Sequence, residues 1–306
     1  MGRTRGRRSP DRDTAIGKAE LALTDCLHEL VANGSIEMSI GDDAEIAKAA
    51  HSLPSGISVF VPSPPHRDLV SSLEHVRVLH EAGMDPVPHL AARKIRSRDE
   101  LRQFLETATK RYGVQRALIV GGDPTEPAGP YADSAALLDE GIIEGSGIRE
   151  ISIAGYPEGH PRIPTERLRQ DLEYKVTTAH QRGLGLRIVT QFSFSTVRIL
   201  EYCAQLAHSV PEVPVYVGLS GPTSPRKLIR YARYCGVSTS LLALGSMGLK
   251  AASLVTRTDP ADQLQALAHH CSTRPNNNII GVHLFSFGGF EETARWMQGK
   301  CRNHWN

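Results

Sequence analysis

Eight short apolar runs recur along the chain and alternate with longer segments in which apolar residues return at helical spacing. Each run is bounded by glycine, proline or polar residues, a pattern typical of strands buried on both faces. The predicted strands cover residues 35–40, 57–61, 86–91, 117–120, 150–154, 186–191, 213–219 and 279–285.

The segments between the runs predict helices, and an additional helix over residues 13–31 precedes the first strand. Two helices carry clear start signals: Ser97 and Glu100 have the spacing of a capping box, and Pro225 follows Ser224 at the first helical position. The helices predicted after the first strand cover residues 43–50, 67–82, 97–112, 134–140, 165–182, 195–208, 224–235, 239–250, 260–271 and 291–300.

Strict alternation of strands and helices is typical of a parallel sheet. Eight repeats in about 270 residues favour a closed (β/α)8 barrel, the TIM barrel, over an open doubly wound sheet. No Gly-x-Gly-x-x-Gly follows a predicted strand, which argues against a Rossmann-type dinucleotide unit. We therefore expect one α/β barrel domain over residues 16–306, with an extra N-terminal helix, preceded by a disordered basic tail over residues 1–15.

The composition is ordinary for a globular enzyme and limits the classes of partner. The 306 residues carry a formal net charge of +2, with 40% hydrophobic and 22% charged residues. This charge favours neither nucleic acid nor a membrane surface, and no apolar run reaches the roughly 18 residues of a membrane span. The five cysteines are scattered without a Cys-x-x-Cys pair, so we expect reduced thiols and a cytoplasmic location. The sequence leaves open whether the chain forms a homo-oligomer.

Polar residues follow the predicted strands where each strand ends, and in a parallel barrel these ends converge on one face. Glu37 lies between Ile36 and Met38 in an apolar run, so a buried carboxylate here is expected either to have a partner or to stay protonated, and a raised pKa would suit it to general acid catalysis. The candidate site residues at or after strand ends are Glu37, His89, Gly121, Gly122, Asp123, Tyr156, His160, Gln191, Ser220, Ser286 and Phe287.

Several of these residues lie in motifs that also have a characteristic order. The motifs are Ser35-Ile36-Glu37, Pro88-His89-Leu90, Gly121-Gly122-Asp123, Tyr131-Ala132, Tyr156-Pro157-Glu158-Gly159-His160, Tyr174-Lys175-Val176 and Thr190-Gln191-Phe192. In this order and spacing the chain resembles the catalytic barrel of methylenetetrahydrofolate reductases over about residues 34–300.

The resemblance implies reduction of 5,10-methylenetetrahydrofolate to 5-methyltetrahydrofolate, with electrons from NADH or NADPH passing through bound FAD. It makes Glu37 the general acid and Asp123 a second catalytic residue, and it assigns Gln191 and Phe287 to the folate substrate. The FAD contacts that it implies are His89, Gly121, Gly122, Asp123, Tyr131, Ala132, Tyr156, His160 and Lys175.

The chain departs from the family pattern at Gly121, where an arginine of Arg-Gly-Asp is usual, and this removes one cation from a diphosphate. Two alternatives therefore stay open beside the flavin enzyme. In the first alternative, hydride passes directly from NAD(P)H to the folate without a flavin. In the second, the protein binds folate and has no redox activity. The folate glutamate tail has four candidate cations among which the sequence does not choose: Arg93, Arg226, Lys227 and Arg295.

A metal-dependent hydrolase is the competing use of the same residues. Glu37, His89, Asp123 and His160 offer the nitrogen and oxygen ligands that hard divalent ions take. The first strand has no His-x-His and the chain has no Cys/His ligand spacing, so no metal is assigned.

Overall fold

The computed structural model describes residues 10–39, 43–63, 68–235, 237, 259–274 and 276–302. Eight parallel strands close into a barrel in sequence order, with β8 pairing back onto β1. The predicted TIM barrel is confirmed. The strands are β1 Ser35–Glu37, β2 Ser58–Val61, β3 Asp85–Ala91, β4 Arg116–Val120, β5 Glu150–Gly155, β6 Gly185–Thr190, β7 Val215–Ser220 and β8 Ile279–Phe285.

Helices follow the strands on the outside of the barrel, and an extra helix precedes β1, as predicted. That helix begins at Pro10, inside the stretch predicted to be a disordered tail; residues 1–9 and the predicted helix 239–250 lie outside the described residues. The helices are α1 Pro10–Ala32, α2 Asp43–Ala50, α3 Leu73–Glu81, α4 Arg98–Tyr112, α5 Ser134–Asp139, α6 Ile142–Gly145, α7 Thr165–Gln181, α8 Thr196–Ser209, α9 Pro225–Tyr234, α10 Ala261–Thr273 and α11 Phe290–Arg302.

Alternation along the strands divides the apolar residues into two layers. One set, including Val59, Ile119 and Ile151, packs outward against the helices and belongs to the main core. Phe60 and Leu118, the sequence neighbours of the first two, face the other way and form a separate cluster inside the barrel. The barrel is therefore filled and is not a pore.

The amino ends of the strands are closed by charged side chains inside the barrel. Arg116, the first residue of β4, lies 3.2 Å from the carboxylate of Asp85 and donates to Ser58 Oγ at 2.7 Å. Arg187 of β6 pairs with Glu150, the first residue of β5. This polar layer seals one end of the barrel, so the carboxyl ends of the strands are left for a ligand.

Local signals in the sequence explain where helices start. The Ser97 side chain accepts a hydrogen bond from the backbone N–H of Glu100 at 3.1 Å, as the capping box predicts, and Ser224 caps α9 in the same way. In the described part of the chain, no helix combines the length and apolar composition that a bilayer span requires.

Candidate active site

Glu37 is the last residue of β1, and its side chain points into the carboxyl end of the barrel. Two histidines from other strands meet it there. Glu37 Oε2 lies 3.3 Å from Nε2 of His89 on β3 and 3.7 Å from Nε2 of His283 on β8. We call these three residues the Glu37 cluster.

Both imidazoles present a buried nitrogen to the same carboxylate. Among the described residues, Nε2 of His89 and Nε2 of His283 make no hydrogen bond of good geometry, and the Glu37 carboxylate is the polar group that both of them face; His283 is fully buried. The other ring nitrogen of His283 lies 2.8 Å from Ser35 Oγ, which fixes the orientation of the ring. The ring of Phe60 packs edge-on against His283 at 4.6 Å between ring centres. The cluster is thus shaped by the barrel interior before a ligand arrives.

The two histidines decide the charge state of Glu37. Burial does act to raise the pKa of Glu37, but the neighbouring His89 and His283 outweigh it, and the pKa falls to about 2. Burial lowers the pKa of His283, and Glu37 opposes this shift. Of the two expected states, Glu37 is therefore the partnered carboxylate and not the protonated acid, and its partners could not be identified in the sequence.

Cys235, which follows α9, links Asp123 and Gln191 to the region of Glu37, because all three residues affect the pKa of its thiol. The pKa of the Cys235 thiol is raised to about 12, mainly by burial. The carboxylates of Glu37 and Asp123 raise it further, and a hydrogen bond with Gln191 opposes the shift. Gln191 thus contacts a neutral thiol that sequence reasoning did not assign to the site, and the charges of Glu37 and Asp123 act on the pKa of that thiol.

Gln191 follows β6 directly, and its backbone is fixed on both sides. Its N–H donates to the carbonyl of Gly155 at 2.8 Å, and its side-chain oxygen accepts from the N–H of Phe192 at 3.1 Å. Beside it, Thr190 Oγ1 accepts from the N–H of Gly218 on β7 at 2.9 Å. The amide group of Gln191 is therefore held at the barrel mouth by neighbouring strands.

Aromatic rings from β8 and α9 form one wall of the mouth. Phe287, two residues beyond β8, stacks on Phe285 with 10° between the ring planes and on Tyr231 with 23°. Phe287 has a φ of 46°, which is unusual for a bulky residue and indicates local strain at the site. The predicted substrate residue Phe287 is thus part of a stacked set suited to a flat ring.

Gly121 and Gly122 follow β4 and contact the side chain of Arg93, which lies just after β3. Arg93 donates through Nη2 to the carbonyl of Gly122 and through Nη1 to the carbonyl of Ala132 at 3.2 Å. The charge of Arg93 also affects the pKa values of two residues that follow β5, Tyr156 and His160. It opposes the burial that raises the pKa of Tyr156, and it adds to burial and Arg162 in lowering the pKa of His160.

Tyr156 and His160 are neighbours in the loop after β5, with ring centres 5.2 Å apart in an edge-on arrangement. Nδ1 of His160 accepts from the N–H of Arg162 at 3.2 Å, so its neutral form carries the proton on Nε2. These two predicted flavin contacts therefore lie together, with the guanidinium of Arg93 nearby.

Tyr131 and Lys175, two further predicted flavin contacts, lie beside charged residues of the outer helices. Tyr131 is buried, and its hydroxyl has no hydrogen-bond partner among the described residues. Burial and Glu140 raise its pKa while Arg98 opposes them, so the hydroxyl lies on the side of α4 and α5. Burial lowers the pKa of Lys175, against the carboxylates of Asp171 and Asp133.

Those carboxylates belong to a cleft of about 450 Å³ between α5 and α7. Its walls carry the acidic residues Asp133, Asp139 and Asp171, with Arg167 as a cation. Lys175 is thus beside an acidic cleft rather than in a cluster of cations. In the part of the chain that the structure describes, no three His, Cys, Asp or Glu side chains form a group able to hold a metal ion.

Sequence reasoning missed His283 and Cys235 and did not choose Arg93 among the cations. His283 stands between Val282 and Leu284 in an apolar run, so it resembled a core residue. Only the register of β8 against β1, which pairs His283 with Ser35, reveals that it faces the same side as Glu37.

Comparison with known proteins gives the family of this chain. The model of the methylenetetrahydrofolate reductase family matches residues 44–242. Methylenetetrahydrofolate reductase 2 of Saccharomyces cerevisiae is 30% identical over 133 residues, which are 41% of this chain. The matched part spans 22% of the yeast protein's length.

Among solved structures, an uncharacterized protein from Clostridium thermocellum that binds two copies of 5-methyl-5,6,7,8-tetrahydrofolic acid superposes with a TM-score of 0.57. The two chains are 11% identical, and the match covers 89% of this chain and 93% of that one, a likeness that supports the fold alone. Because the family model covers more than half of the chain, the chain belongs to the methylenetetrahydrofolate reductase family.

Proposed function

We propose that this protein reduces 5,10-methylenetetrahydrofolate to 5-methyltetrahydrofolate, with NADH or NADPH as the source of electrons. The observation that carries the proposal is the Glu37 cluster, in which one carboxylate at the end of β1 meets His89 and His283. Reduction of the methylene bridge consumes one hydride and one proton, and the cluster is a group that can handle the proton at the right end of the barrel.

The proton would reach N10 of the folate from Glu37, opening the five-membered ring and leaving a cationic iminium at N5. The low pKa of Glu37 keeps it ionised at neutral pH, so Glu37 has to take up a proton before it can act as the acid. A ring would pass a proton from Nε2 to Glu37 while taking up another at Nδ1, since both Nε2 atoms face the same carboxylate oxygen. A bound pterin that covers the cluster would add burial, which favours the protonated acid.

Gln191 and Asp123 would hold the pterin beside this acid. A side-chain amide offers a donor and an acceptor to the paired groups of a pterin edge, and a carboxylate accepts from its N–H groups. The stacked wall of Phe287, Phe285 and Tyr231 would pack against a flat ring of the substrate. Cys235 would stay a neutral thiol between these groups.

The family implies FAD, and the residues fit part of it. Arg93, Tyr156 and His160 place a cation and two polar rings at the ends of β4 and β5, where a dinucleotide's diphosphate and ring edge have partners. When bound, the flavin supplies the hydride. The acidic cleft beside Lys175 does not fit a phosphate, so we assign no cofactor contact there.

The test is product formation by the purified full chain. It is incubated with 5,10-methylenetetrahydrofolate and NADH or NADPH, with and without added FAD, and 5-methyltetrahydrofolate is measured by mass spectrometry. We expect product in the wild type and a loss of at least about 100-fold in Glu37→Gln, with 5-methyltetrahydrofolate binding retained. Glu106→Gln is the matched control, since Glu106 is exposed and pairs with Lys110 on α4.

A visible spectrum of the same preparation distinguishes two routes. Flavin absorbance and a requirement for FAD support transfer through the flavin, whereas turnover without flavin supports direct hydride transfer from NAD(P)H. Absence of product under every condition refutes the reductase.

A second candidate is a folate-binding protein without redox activity. The acidic cleft between α5 and α7 favours it, because three carboxylates oppose a cofactor phosphate there. The Clostridium thermocellum protein with the same fold binds 5-methyl-5,6,7,8-tetrahydrofolic acid. Tight folate binding without consumption of NAD(P)H would support this candidate.

A further inference from the structure

The guanidinium of Arg93 occupies the space directly beside Gly121. The φ of Gly121 is not in the left-handed region, so the backbone does not demand glycine. A Cβ at this position would stand 3.3 Å from Arg93 Nη2 and 3.5 Å from Nη1. A longer side chain at 121 and the guanidinium of Arg93 therefore compete for the same space.

Arg93 is anchored so that its charge stays available. The backbone N–H of Arg93 donates to the carbonyl of Gly121 at 3.0 Å, which ties the start of the turn to the end of β4. The guanidinium bonds to two neutral carbonyl oxygens, those of Gly122 and Ala132. Its Nε is buried without a hydrogen-bond partner among the described residues. A positioned guanidinium bonded only to carbonyls keeps its full charge for an anion.

The surroundings indicate what kind of anion fits. Arg93 is partly exposed at the mouth of the barrel, and its charge acts on Tyr156 and His160 at the end of β5. An anion here would lie across the ends of β4 and β5, a few residues from Asp123. Guanidinium groups bind phosphate through two parallel N–H donors, which gives direction as well as affinity.

We propose that Arg93 binds the diphosphate of a dinucleotide across the ends of β4 and β5, and that it supplies from β3 the cation that Gly121 cannot supply from β4. This rests on the proposed function, which requires a dinucleotide as electron carrier. FAD and NAD(P)H both contain a diphosphate, so the proposal names dinucleotides as the ligand class. The experiment decides which of the two binds at Arg93.

The experiment measures binding rather than turnover. Full-length wild type, Arg93→Gln and the control Arg102→Gln are titrated with FAD, FMN, NADH, reduced nicotinamide mononucleotide and 5-methyltetrahydrofolate by calorimetry. Arg102 is an exposed arginine of α4 that pairs with Asp99. We expect Arg93→Gln to weaken one of the two dinucleotides by roughly 10- to 100-fold, as for a lost charge-assisted pair. FMN and the mononucleotide, which lack the diphosphate, and the folate should change less than about threefold.

A swap tests the steric argument independently of any loss of fold. Gly121→Arg alone is expected to bind dinucleotide poorly, because the two side chains collide. Gly121→Arg combined with Arg93→Ala should regain dinucleotide affinity, since the new guanidinium enters the vacated space. The 5-methyltetrahydrofolate titration of each variant reports whether the barrel mouth is intact.

The outcomes separate the two claims. If the wild type binds folate and a dinucleotide and Arg93→Gln binds both equally well, Arg93 is only a clamp on two carbonyls and this inference fails alone. If weakening is equal for FAD, FMN and folate, the effect is structural and the inference also fails. If the wild type binds no dinucleotide, the inference and the proposed reductase fail together.

Discussion

Glu37 Oε2 and His89 Nε2 face each other across 3.3 Å. Their strands, β1 and β3, are not neighbours, since β2 runs between them. The register pairs Phe60 of β2 with Glu37, and the Phe60 ring packs edge-on against both His89 and His283. An aromatic side chain on the intervening strand thus forms the floor under the charged pair. The low pKa of Glu37 follows from this enclosure by two imidazoles rather than from exposure to water.

Acid should weaken the folded protein through Glu37. Its pKa falls from the ordinary 4.5 to about 2 on folding, so the carboxylate stabilises the fold above pH 4.5. That contribution, on the order of 3 kcal/mol, is lost as the pH falls from 4.5 through 2. Urea unfolding of wild type and Glu37→Gln across this range should show the stability gap shrinking. A gap that is the same at pH 5 and pH 2.5 would contradict the shift.

Ser35→Ala should loosen the second imidazole. The change removes the 2.8 Å contact with His283 Nδ1 and leaves a buried nitrogen without a partner, at a cost of about 1–3 kcal/mol in the free energy of unfolding. The pH dependence of turnover should shift as well, since the ring orientation is no longer fixed. Ser209→Ala is the control, because Ser209 is exposed and bonds to a carbonyl of its own helix. Equal effects of the two changes would remove Ser35 from the site.

Gly218→Ala should disturb the mouth of the barrel. A Cβ there would lie 2.1 Å from the Thr190 carbonyl oxygen and 3.0 Å from the carbonyl carbon of Gln191, so β6 and β7 must separate. We expect a loss of about 1–3 kcal/mol in unfolding free energy and weaker folate binding. Gly299→Ala on α11 meets nothing within 4 Å and should stabilise by about 0.5–1 kcal/mol. Thermal unfolding of both variants decides whether crowding, rather than loss of glycine, is the cause.

Gln191→Ala should weaken folate binding without unfolding the protein. The side chain is held by the N–H of Phe192 and bonds to Cys235, and the proposed pterin contacts add to these. Loss of one or two such bonds predicts a rise of about 10-fold in the dissociation constant for 5-methyltetrahydrofolate. Gln205→Ala, on the outer helix α8, should bind folate like the wild type. Unchanged affinity in Gln191→Ala would place the pterin elsewhere.

The barrel could be predicted from the sequence because apolar runs of strand length are a local signal, and each predicted run overlaps its strand. The ends of the strands were harder to predict than their positions in the chain. The run predicted over residues 35–40 ends as a strand at Glu37, so the carboxylate lies at the end of β1 and not in its middle. Glu37 was found because a charged residue in an apolar run is conspicuous.

Electrostatics could not be predicted, because a pKa depends on which side chains of other strands lie nearby. Burial of Glu37 was visible in the sequence, whereas the presence of His89 and His283 beside it depends on barrel closure. Arg93 and Gly121 show the same limit: they are 28 positions apart in numbering and in contact only because β3 and β4 are paired.

Closure of the barrel joins the first strand to the last, and the Glu37 cluster straddles that seam. Ser35 and Glu37 come from the earliest strand, whereas His283 is two residues short of the end of the final one. During synthesis the carboxylate therefore lacks its second imidazole until the eighth strand has been made. The Glu37 cluster is complete only when the barrel has closed.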